Sequence, residues 1–133
     1  MQKIPTWILV VAVALFDENG RVLLQQRPAG KHHGGLWEFP GGKVESGEIP
    51  QVALVREVAE ELGIGLDPAA LEPCAFAEEM GCPAIVLNLY TCRSHAGEPA
   101  GLEGQQFGWF DLAGAAQLAL APMDRRLLQQ LVR

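Results

Sequence analysis

The chain has 133 residues, of which 49% are apolar and 20% are charged, and this composition is typical of a globular protein. The length predicts one domain over residues 1–133, because it supports a hydrophobic core but is too short for two. A net charge of −6 without any run of lysine or arginine excludes a nucleic-acid duplex as the expected partner.

The first predicted element is a buried strand over residues 7–16, which are continuously apolar and rich in β-branched side chains. With Lys3 before it, this run imitates a secretion signal, but it is too short to span a membrane. The tripeptide that would be cleaved, at 12–14, also lies inside the run rather than after it. We therefore expect a buried strand and no membrane partner.

The elements after this strand follow from turn signals. Asn19-Gly20 is typical of a hairpin, so residues 21–26 are predicted to return as the paired strand. We predict a mobile loop over residues 28–35. A short strand is predicted over residues 36–39, and it ends at Pro40. Beyond a central helix we predict strands over 71–79, 84–93 and 105–110 and helices over 112–118 and 123–132. Strands before and after a helix indicate an α+β or mixed α/β class.

The central helix is predicted over residues 51–62, where apolar residues recur with helical spacing. Pro50 suits the first helical turn, since its fixed φ fits there and its missing N–H would have been unpaired. Gly63 suits the position after the last turn, where the left-handed conformation costs least without a Cβ.

This helix carries three glutamates at neighbouring surface positions. Glu57, Glu60 and Glu61 lie within four residues, Arg56 is beside them, and no lysine is interleaved. Such carboxylates repel one another unless a cation lies among them, and Mg²⁺ prefers carboxylates, waters and substrate phosphates. The spacing predicts a metal site, and the alternative is a solvated acidic face.

The three cysteines are odd in number and lack the spacing of a zinc site. They indicate reduced thiols in a cytoplasmic protein. The sequence positions are Cys74, Cys82 and Cys92.

The stretch 42–64 resembles the Nudix box at every fixed position: Gly42, five residues, Glu48, seven residues, and then REVAEELGI at 56–64. Nudix enzymes hydrolyse nucleoside diphosphates linked to another moiety, using Mg²⁺ or Mn²⁺. Segments 24–28, 36–43, 101–105 and 121–124 extend the similarity to the MutT branch over nearly the whole chain. The resemblance implies the Nudix fold, an α/β/α sandwich around a mixed β-sheet.

The resemblance also implies roles for the acidic residues. Glu57 and Glu61 would be metal ligands, Glu60 would bind directly or through water, and the Gly42 carbonyl would add an oxygen. Glu103, within GLEGQ at 101–105, would reach the metals, its alternative being a solvated loop carboxylate. Glu57 and Glu103 are the candidate general bases, and we favour Glu57.

One pair of box residues has an expected supporting role. Glu48 and Arg56 would form an ion pair that ties the loop to the helix and supports the catalytic carboxylates. The alternative is a surface bridge of little energetic value.

Five residues are candidates for substrate binding. Arg27 would grip the triphosphate and His32 would contact phosphate, whereas their alternatives are an exposed charge and a solvated loop residue. Trp37 and Phe39 flank the glycines, so one of them faces a base or both pack internally. Asp124 stands where the MutT protein has a base-reading asparagine, and its alternative role is a helix N-cap.

The resemblance implies conversion of 8-oxo-dGTP to 8-oxo-dGMP and pyrophosphate, which would keep oxidised nucleotides out of DNA. We expect a monomer by default, because the sequence does not indicate an oligomeric state. A CTP or oxidised-pyrimidine diphosphatase would use the same carboxylates, while an ADP-ribose hydrolase usually carries extra dimerising elements. A non-catalytic nucleotide sensor is the alternative of another class. Such sensors commonly lose box glutamates, and this chain keeps all of them.

Overall fold

The computed structural model describes residues 6–133, so the predictions that involve Lys3 lie outside the described residues. A first sheet contains β1 (Trp7–Leu15), β4 (Gly41–Lys43), β5 (Glu72–Glu79) and β6 (Ala84–Cys92). A second sheet contains β2 (Val22–Gln26), β3 (Trp37–Glu38) and β7 (Gln106–Phe110). The helices are α1 (Pro50–Leu62), α2 (Leu112–Ala116) and α3 (Pro122–Leu131), with a 3₁₀ turn at Pro68–Ala70.

The first sheet is mixed, with the strand order β4-β1-β6-β5. Strand β1 runs parallel to β6 and antiparallel to β4, and β5 pairs antiparallel with β6. The second sheet has the order β3-β2-β7 and is antiparallel throughout. The predicted mixed sheet and the α+β class are confirmed.

Strand β1 is apolar along its whole length, and its second half, residues 11–15, is buried on both faces. Val11, Val13 and Leu15 pack in one core with residues of α1, including Leu54 and Val58. The alternate residues of β1 pack in the opposite core with α2 and α3. Successive side chains of a strand point to opposite faces, so one strand contributes to both cores. This arrangement confirms the predicted α/β/α sandwich.

The predicted hairpin between the first two strands is wrong beyond its turn. Asp17 accepts hydrogen bonds from the backbone N–H groups of Asn19 and Arg21, which closes the turn at 17–21. Only Phe16 and Val22 then pair, after which β1 and β2 enter different sheets. The physical reason is that β6 and β4 already occupy the two edges of β1.

Strand β4 was not predicted, because Pro40 and the two glycines after it indicate a turn. Gly41 and Gly42 pair with Ala12 and Val11 at the edge of the first sheet. A Cβ at Gly41 would overlap the carbonyl oxygen of Val11, so only glycine fits there. The close approach brings the backbone of β4 beside the helix that follows.

Helix α1 confirms the predicted boundaries to within one residue. Gly63 adopts φ +70° and donates its N–H to the Ala59 carbonyl at 3.0 Å, as expected for the residue after the last turn. The buried face of α1 consists of Ala53, Leu54, Val58, Glu61 and Leu62. The presence of Glu61 in this apolar set shows that one of the three glutamates points inward.

No helix within residues 6–133 is long and apolar enough to cross a membrane.

Candidate active site

A cavity of about 350 Å³ opens where the two sheets approach each other. Its walls come from β1, β2, β4 and β6, from the loop before β3, from the last turn of α1 and from the first turn of α3. It brings together these predicted site residues: Arg27, His32, Phe39, Gly42, Glu61, Glu103 and Asp124.

Glu61 is the most deeply buried of the box glutamates, with a relative exposure of 9%. Its Oε1 accepts a hydrogen bond from the Gly41 N–H at 3.0 Å. Desolvation raises the pKa of Glu61 to about 8, and the charge of Glu57 adds to that effect. Hydrogen bonds from Gln25 and Gly41 act in the opposite direction but do not restore the ordinary pKa.

Glu57 lies against the backbone of β4. A Cβ at Gly42 would overlap the Glu57 carboxyl group, so the glycine makes the space that this carboxylate occupies. Burial raises the pKa of Glu57, and the charges of Glu60 and Glu103 act in the same direction, whereas Arg56 lowers it. Glu57 and Glu103 therefore share one electrostatic environment, although they come from distant parts of the sequence.

Arg56 forms the predicted ion pair with Glu48. Its Nε and Nη2 donate to the two Glu48 oxygens at 2.8 and 3.0 Å, which is a bidentate geometry. These hydrogen bonds lower the pKa of Glu48 to about 2. Arg56 also donates to the Lys43 carbonyl at 3.2 Å and to Glu57 Oε1 at 2.9 Å. One guanidinium thus joins the segment before α1, the end of β4 and a candidate metal ligand.

Glu60 differs from its two neighbours. Its side chain is 54% exposed, lies 3.4 Å from Arg56 Nη1 and, like that of Glu57, does not line the cavity. Glu57 accepts from the same Nη1, so the two carboxylates lie close together, and the metal-binding role of Glu60 stays a prediction. Successive helical positions are about 100° apart, so Glu60 faces solvent while Glu61 faces the core.

The acidic residues fit a divalent cation by their chemistry. Among residues 6–133 no three His, Cys, Asp or Glu side chains are already grouped closely enough to enclose a metal ion. The oxygens of Glu57, Glu61 and the Gly42 carbonyl are nevertheless the hard ligands that Mg²⁺ and Mn²⁺ prefer. A cation would also favour the ionised form of Glu61, which burial disfavours.

Basic residues lie on another part of the cavity wall. Arg27 donates from Nε to Glu38 Oε2 at 3.0 Å and from Nη1 to the His32 carbonyl at 3.3 Å. Lys31 and His33 line the cavity together with His32. The loop therefore presents cationic and imidazole groups to the same space as the carboxylates, which suits a ligand that carries several phosphates.

Asp124 lies in the first turn of α3 with a relative exposure of 5%. The N-cap of α3 is Ala121, which makes no side-chain capping bond, so the N-cap alternative for Asp124 is wrong. Its Oδ2 instead accepts the backbone N–H of Phe39 at 2.9 Å. Burial raises the pKa of Asp124 to about 7, and the Glu38 charge adds to the effect. The carboxyl lines the cavity and can exist there in both protonation states near neutrality.

The two aromatic candidates separate. Phe39 is buried and lines the cavity. Trp37 does not line it: the indole packs edge-on against Phe110 at 5.3 Å between ring centroids. The backbone of Trp37 also exchanges hydrogen bonds with Ala119 and Ala121. Trp37 is therefore placed as a packing residue that holds β3 against the segment before α3.

The sequence did not identify two buried amides beside the carboxylates. Gln25 and Gln105 line the cavity wall, and Gln105 Nε2 donates to Gln25 Oε1 at 3.1 Å. A signal existed for Gln25, because it continues the buried face that Leu23 begins on β2. Lys31 and Glu38 were also missed as cavity residues, since Lys31 lies in the loop predicted over 28–35 and Glu38 lies in a segment that served only for the family resemblance.

Comparison with known proteins gives consistent matches over the whole described chain. A family model described as "NUDIX domain" matches residues 6–131. The chain is 37% identical over 122 residues to the CTP pyrophosphohydrolase of Escherichia coli (strain K12), covering 92% of this chain and 90% of the relative. It is 35% identical over 127 residues to the 8-oxo-dGTP diphosphatase of the same strain, covering 94% and 97%.

Solved structures agree with this assignment. The solution structure of the E. coli ORF135 protein has a TM-score of 0.85 and 37% identity, covering 96% of this chain and 90% of the other. The crystal structure of a MutT NUDIX hydrolase from Burkholderia pseudomallei has a TM-score of 0.83 and 29% identity, covering 95% and 98%. The matched family, the shared fold and the complete box at 42–64 together show that the chain belongs to the Nudix family of hydrolases, with MutT-type relatives.

Proposed function

We propose that this enzyme hydrolyses nucleoside triphosphates to the nucleoside monophosphate and pyrophosphate, with Mg²⁺ or Mn²⁺, and that 8-oxo-dGTP is its substrate. The observation that carries the proposal is the composition of one cavity. Glu61 and Glu103 line it together with Arg27 and the buried Asp124. Carboxylates for a cation, a guanidinium for phosphate and a buried carboxyl for a base are the groups that this reaction requires.

The proposed roles follow from position. When bound, the divalent ion would neutralise phosphate charge and acidify a water molecule. Glu57, Glu61 and the Gly42 carbonyl would hold it, with Glu103 and Glu60 as further oxygen donors. Glu57 would accept the proton from the attacking water, since burial and neighbouring carboxylates raise its pKa and make it a better base. Arg56 and Glu48 would position Glu57 without touching the substrate.

Substrate contacts would come from the other walls. Arg27 and His32 would bind the phosphates, and Arg27 is held in place by Glu38. Phe39 and Asp124 would form the base site. Asp124 Oδ2 accepts the Phe39 N–H with one lone pair, so Oδ1 and the second lone pair of Oδ2 would meet a base edge.

A second substrate, CTP, is favoured by a specific observation. A neutral Asp124 donates and accepts, which matches the N7–H and O6 of 8-oxoguanine but equally the N3 and amino group of cytosine. Unoxidised guanine presents two acceptors on the corresponding edge and fits less well. The 37% identical relative named CTP pyrophosphohydrolase supports the cytosine alternative.

The experiment is a comparison of kcat/KM for 8-oxo-dGTP, dGTP, CTP and 5-hydroxy-CTP with Mg²⁺, using pyrophosphate release as the readout. A large preference for 8-oxo-dGTP over dGTP supports the first substrate, because base discrimination resides in this ratio. A preference for the cytosine nucleotides replaces it with the second. Binding of nucleotides without turnover would contradict both and favour a nucleotide sensor.

A further inference from the structure

Two glutamine side chains are buried next to the proposed catalytic carboxylates. Gln25 is 4% exposed and Gln105 is 9% exposed. A buried amide costs free energy unless its donors and acceptor are paired, so its partners show what the residue does. Gln25 lies on β2, whereas Gln105 follows the loop that carries Glu103.

Gln105 uses its side chain to connect three segments. Its Nε2 donates to the Glu61 carbonyl at 2.8 Å and to Gln25 Oε1 at 3.1 Å. Its Oε1 accepts the backbone N–H of Glu103 at 2.9 Å. A primary amide has two N–H donors, and both are engaged. The last turn of α1, strand β2 and the loop with Glu103 therefore meet at one side chain.

The other hydrogen bonds of the loop join backbone groups. Leu102 donates its N–H to the carbonyls of Glu61 at 3.1 Å and Ala100 at 2.9 Å. Ala100 donates to the Leu62 carbonyl at 2.9 Å, and Gly104 donates to the Gly101 carbonyl at 3.2 Å. A Cβ at Gly101 would overlap the Gln105 carbonyl oxygen, so the loop closes tightly on the residue that anchors it. The Glu103 side chain is left to line the cavity.

The second amide meets Glu61 at the same nitrogen. Gln25 accepts from Gln105 Nε2 through Oε1, and that nitrogen also donates to the Glu61 backbone carbonyl. Hydrogen bonds thus run from the Glu103 backbone through the Gln105 amide to Gln25 and to the backbone of Glu61. Groups that orient the ligands of a metal typically affect metal affinity and activity ~10–100-fold when removed.

We infer that Gln105, acting with Gln25, is a positioning residue that fixes Glu103 and Glu61 relative to each other across the cavity. Its side-chain amide is engaged by Glu61, Gln25 and Glu103, so it acts through these residues. The inference deepens the proposed function and rests on it for the catalytic readout alone, because the order of the loop and the binding of a cation are separate properties.

The test uses Gln105→Leu, which removes all three hydrogen bonds at similar size, and Gln106→Leu as its matched control. Gln106 is adjacent and exposed, and it makes no side-chain hydrogen bond among the described residues. Amide hydrogen exchange across residues 101–105, the Kd for Mn²⁺ by electron paramagnetic resonance, and kcat with KM are measured for both variants and the unmodified chain.

For Gln105→Leu we expect faster exchange across the loop, a Kd for Mn²⁺ raised ~10-fold or more, and a kcat lowered ~10–100-fold with a smaller change in KM. Gln106→Leu should match the unmodified chain. Exchange and Mn²⁺ affinity that remain unchanged in a folded Gln105→Leu variant overturn the inference. An unmodified chain without turnover contradicts the proposed function, while the exchange and Mn²⁺ readouts still decide the role of Gln105.

Three further variants keep the inference testable if Gln105→Leu fails to fold. Gln105→Glu is isosteric and keeps the acceptor for the Glu103 N–H, but it loses both amide donors. We expect it to leave loop exchange closer to normal than Gln105→Leu and to weaken Mn²⁺ binding less. Gln25→Leu should weaken Mn²⁺ binding ~10-fold with little effect on the loop, and a double variant no worse than Gln105→Leu shows that the two amides act as one unit. If the effects of the two single substitutions on Mn²⁺ binding add fully in the double variant, the two amides act independently.

Discussion

At the scale of single residues, the site contains carboxyl groups whose environments differ sharply. Glu48 is held ionised by Arg56, with its pKa lowered to about 2, whereas burial raises the pKa of Glu61 to about 8. Carboxyl groups of one type thus receive different roles from their surroundings. Glu48 holds the Arg56 guanidinium in place. A cation at the proposed metal site would favour the charged form of Glu61.

Glu57→Gln should lower kcat ~10²–10⁴-fold if Glu57 is the general base, because the amide cannot accept the proton from water. The comparison variant is Glu60→Gln on the same helix, which removes a more exposed carboxylate that is proposed as an oxygen donor to the cation but not as the base. We expect Glu60→Gln to lose less than Glu57→Gln. Steady-state rates with saturating Mg²⁺ measure both variants. If the kcat of Glu57→Gln is close to that of the unmodified chain, Glu57 is not the general base. Glu103 is then the remaining candidate.

Asp124→Asn should change the pH dependence of folding stability. Because burial raises the folded-state pKa of Asp124 from 3.8 to about 7, its proton is held more tightly in the folded chain. The stability it contributes is complete below about pH 4 and is lost as pH rises towards 7. Asparagine does not titrate, so it avoids this loss. Above pH 7 the free energy of unfolding of Asp124→Asn should exceed that of the unmodified chain by up to about 4 kcal/mol, at about 1.36 kcal/mol per pKa unit.

Urea unfolding between pH 4 and pH 8 measures this difference, with the exposed Glu72→Gln as a control that should show none. A difference between Asp124→Asn and the unmodified chain that stays constant over this range contradicts the burial argument.

At the scale of elements, the sequence predicted what local chemistry determines. Helix α1 was located because Pro50, the apolar spacing and Gly63 are all signals within the helix itself. The pairing of β2 was wrong because the competing edges of β1 are filled by strands distant in sequence. The inward turn of Glu61 and the outward turn of Glu60 likewise depend on which side of α1 meets the sheet. The sequence left open whether Trp37 packs or faces a base for the same reason, since its packing partner Phe110 is remote in the chain.

Gly63→Ala tests the end of α1. At φ +70°, alanine carries the cost of the left-handed conformation, and its Cβ would lie 3.2 Å from Leu102. We expect a loss of about 1 kcal/mol in the free energy of unfolding. Gly65→Ala is the matched control, because its φ is ordinary and its Cβ would meet Ala96 at a normal 3.6 Å. Thermal and urea unfolding should show a change within about 0.5 kcal/mol for the control. Equal losses in the two variants would contradict the role assigned to Gly63.

At the scale of the whole molecule, the cavity exists only where the two sheets and two helices come together. The first sheet provides Gly42 and an apolar wall, and the second provides Gln25 and leads into Arg27. Helix α1 brings the box carboxylates and α3 brings Asp124. The sequence could identify most of these residues through the family resemblance, but the hydrogen bonds of the two buried amides follow only from the fold.

In the proposed reaction the cavity carboxylates carry out a metal-dependent release of pyrophosphate. The most direct measurement is the product analysis of 8-oxo-dGTP and CTP hydrolysis by the unmodified chain and by Glu61→Gln, with Mg²⁺ and with a chelator. We predict one pyrophosphate for each nucleoside monophosphate, no turnover with the chelator, and a rate lowered at least about tenfold in Glu61→Gln. Release of orthophosphate in place of pyrophosphate would contradict the proposed reaction. Rates that change neither with the chelator nor with Glu61→Gln would contradict the proposed metal site.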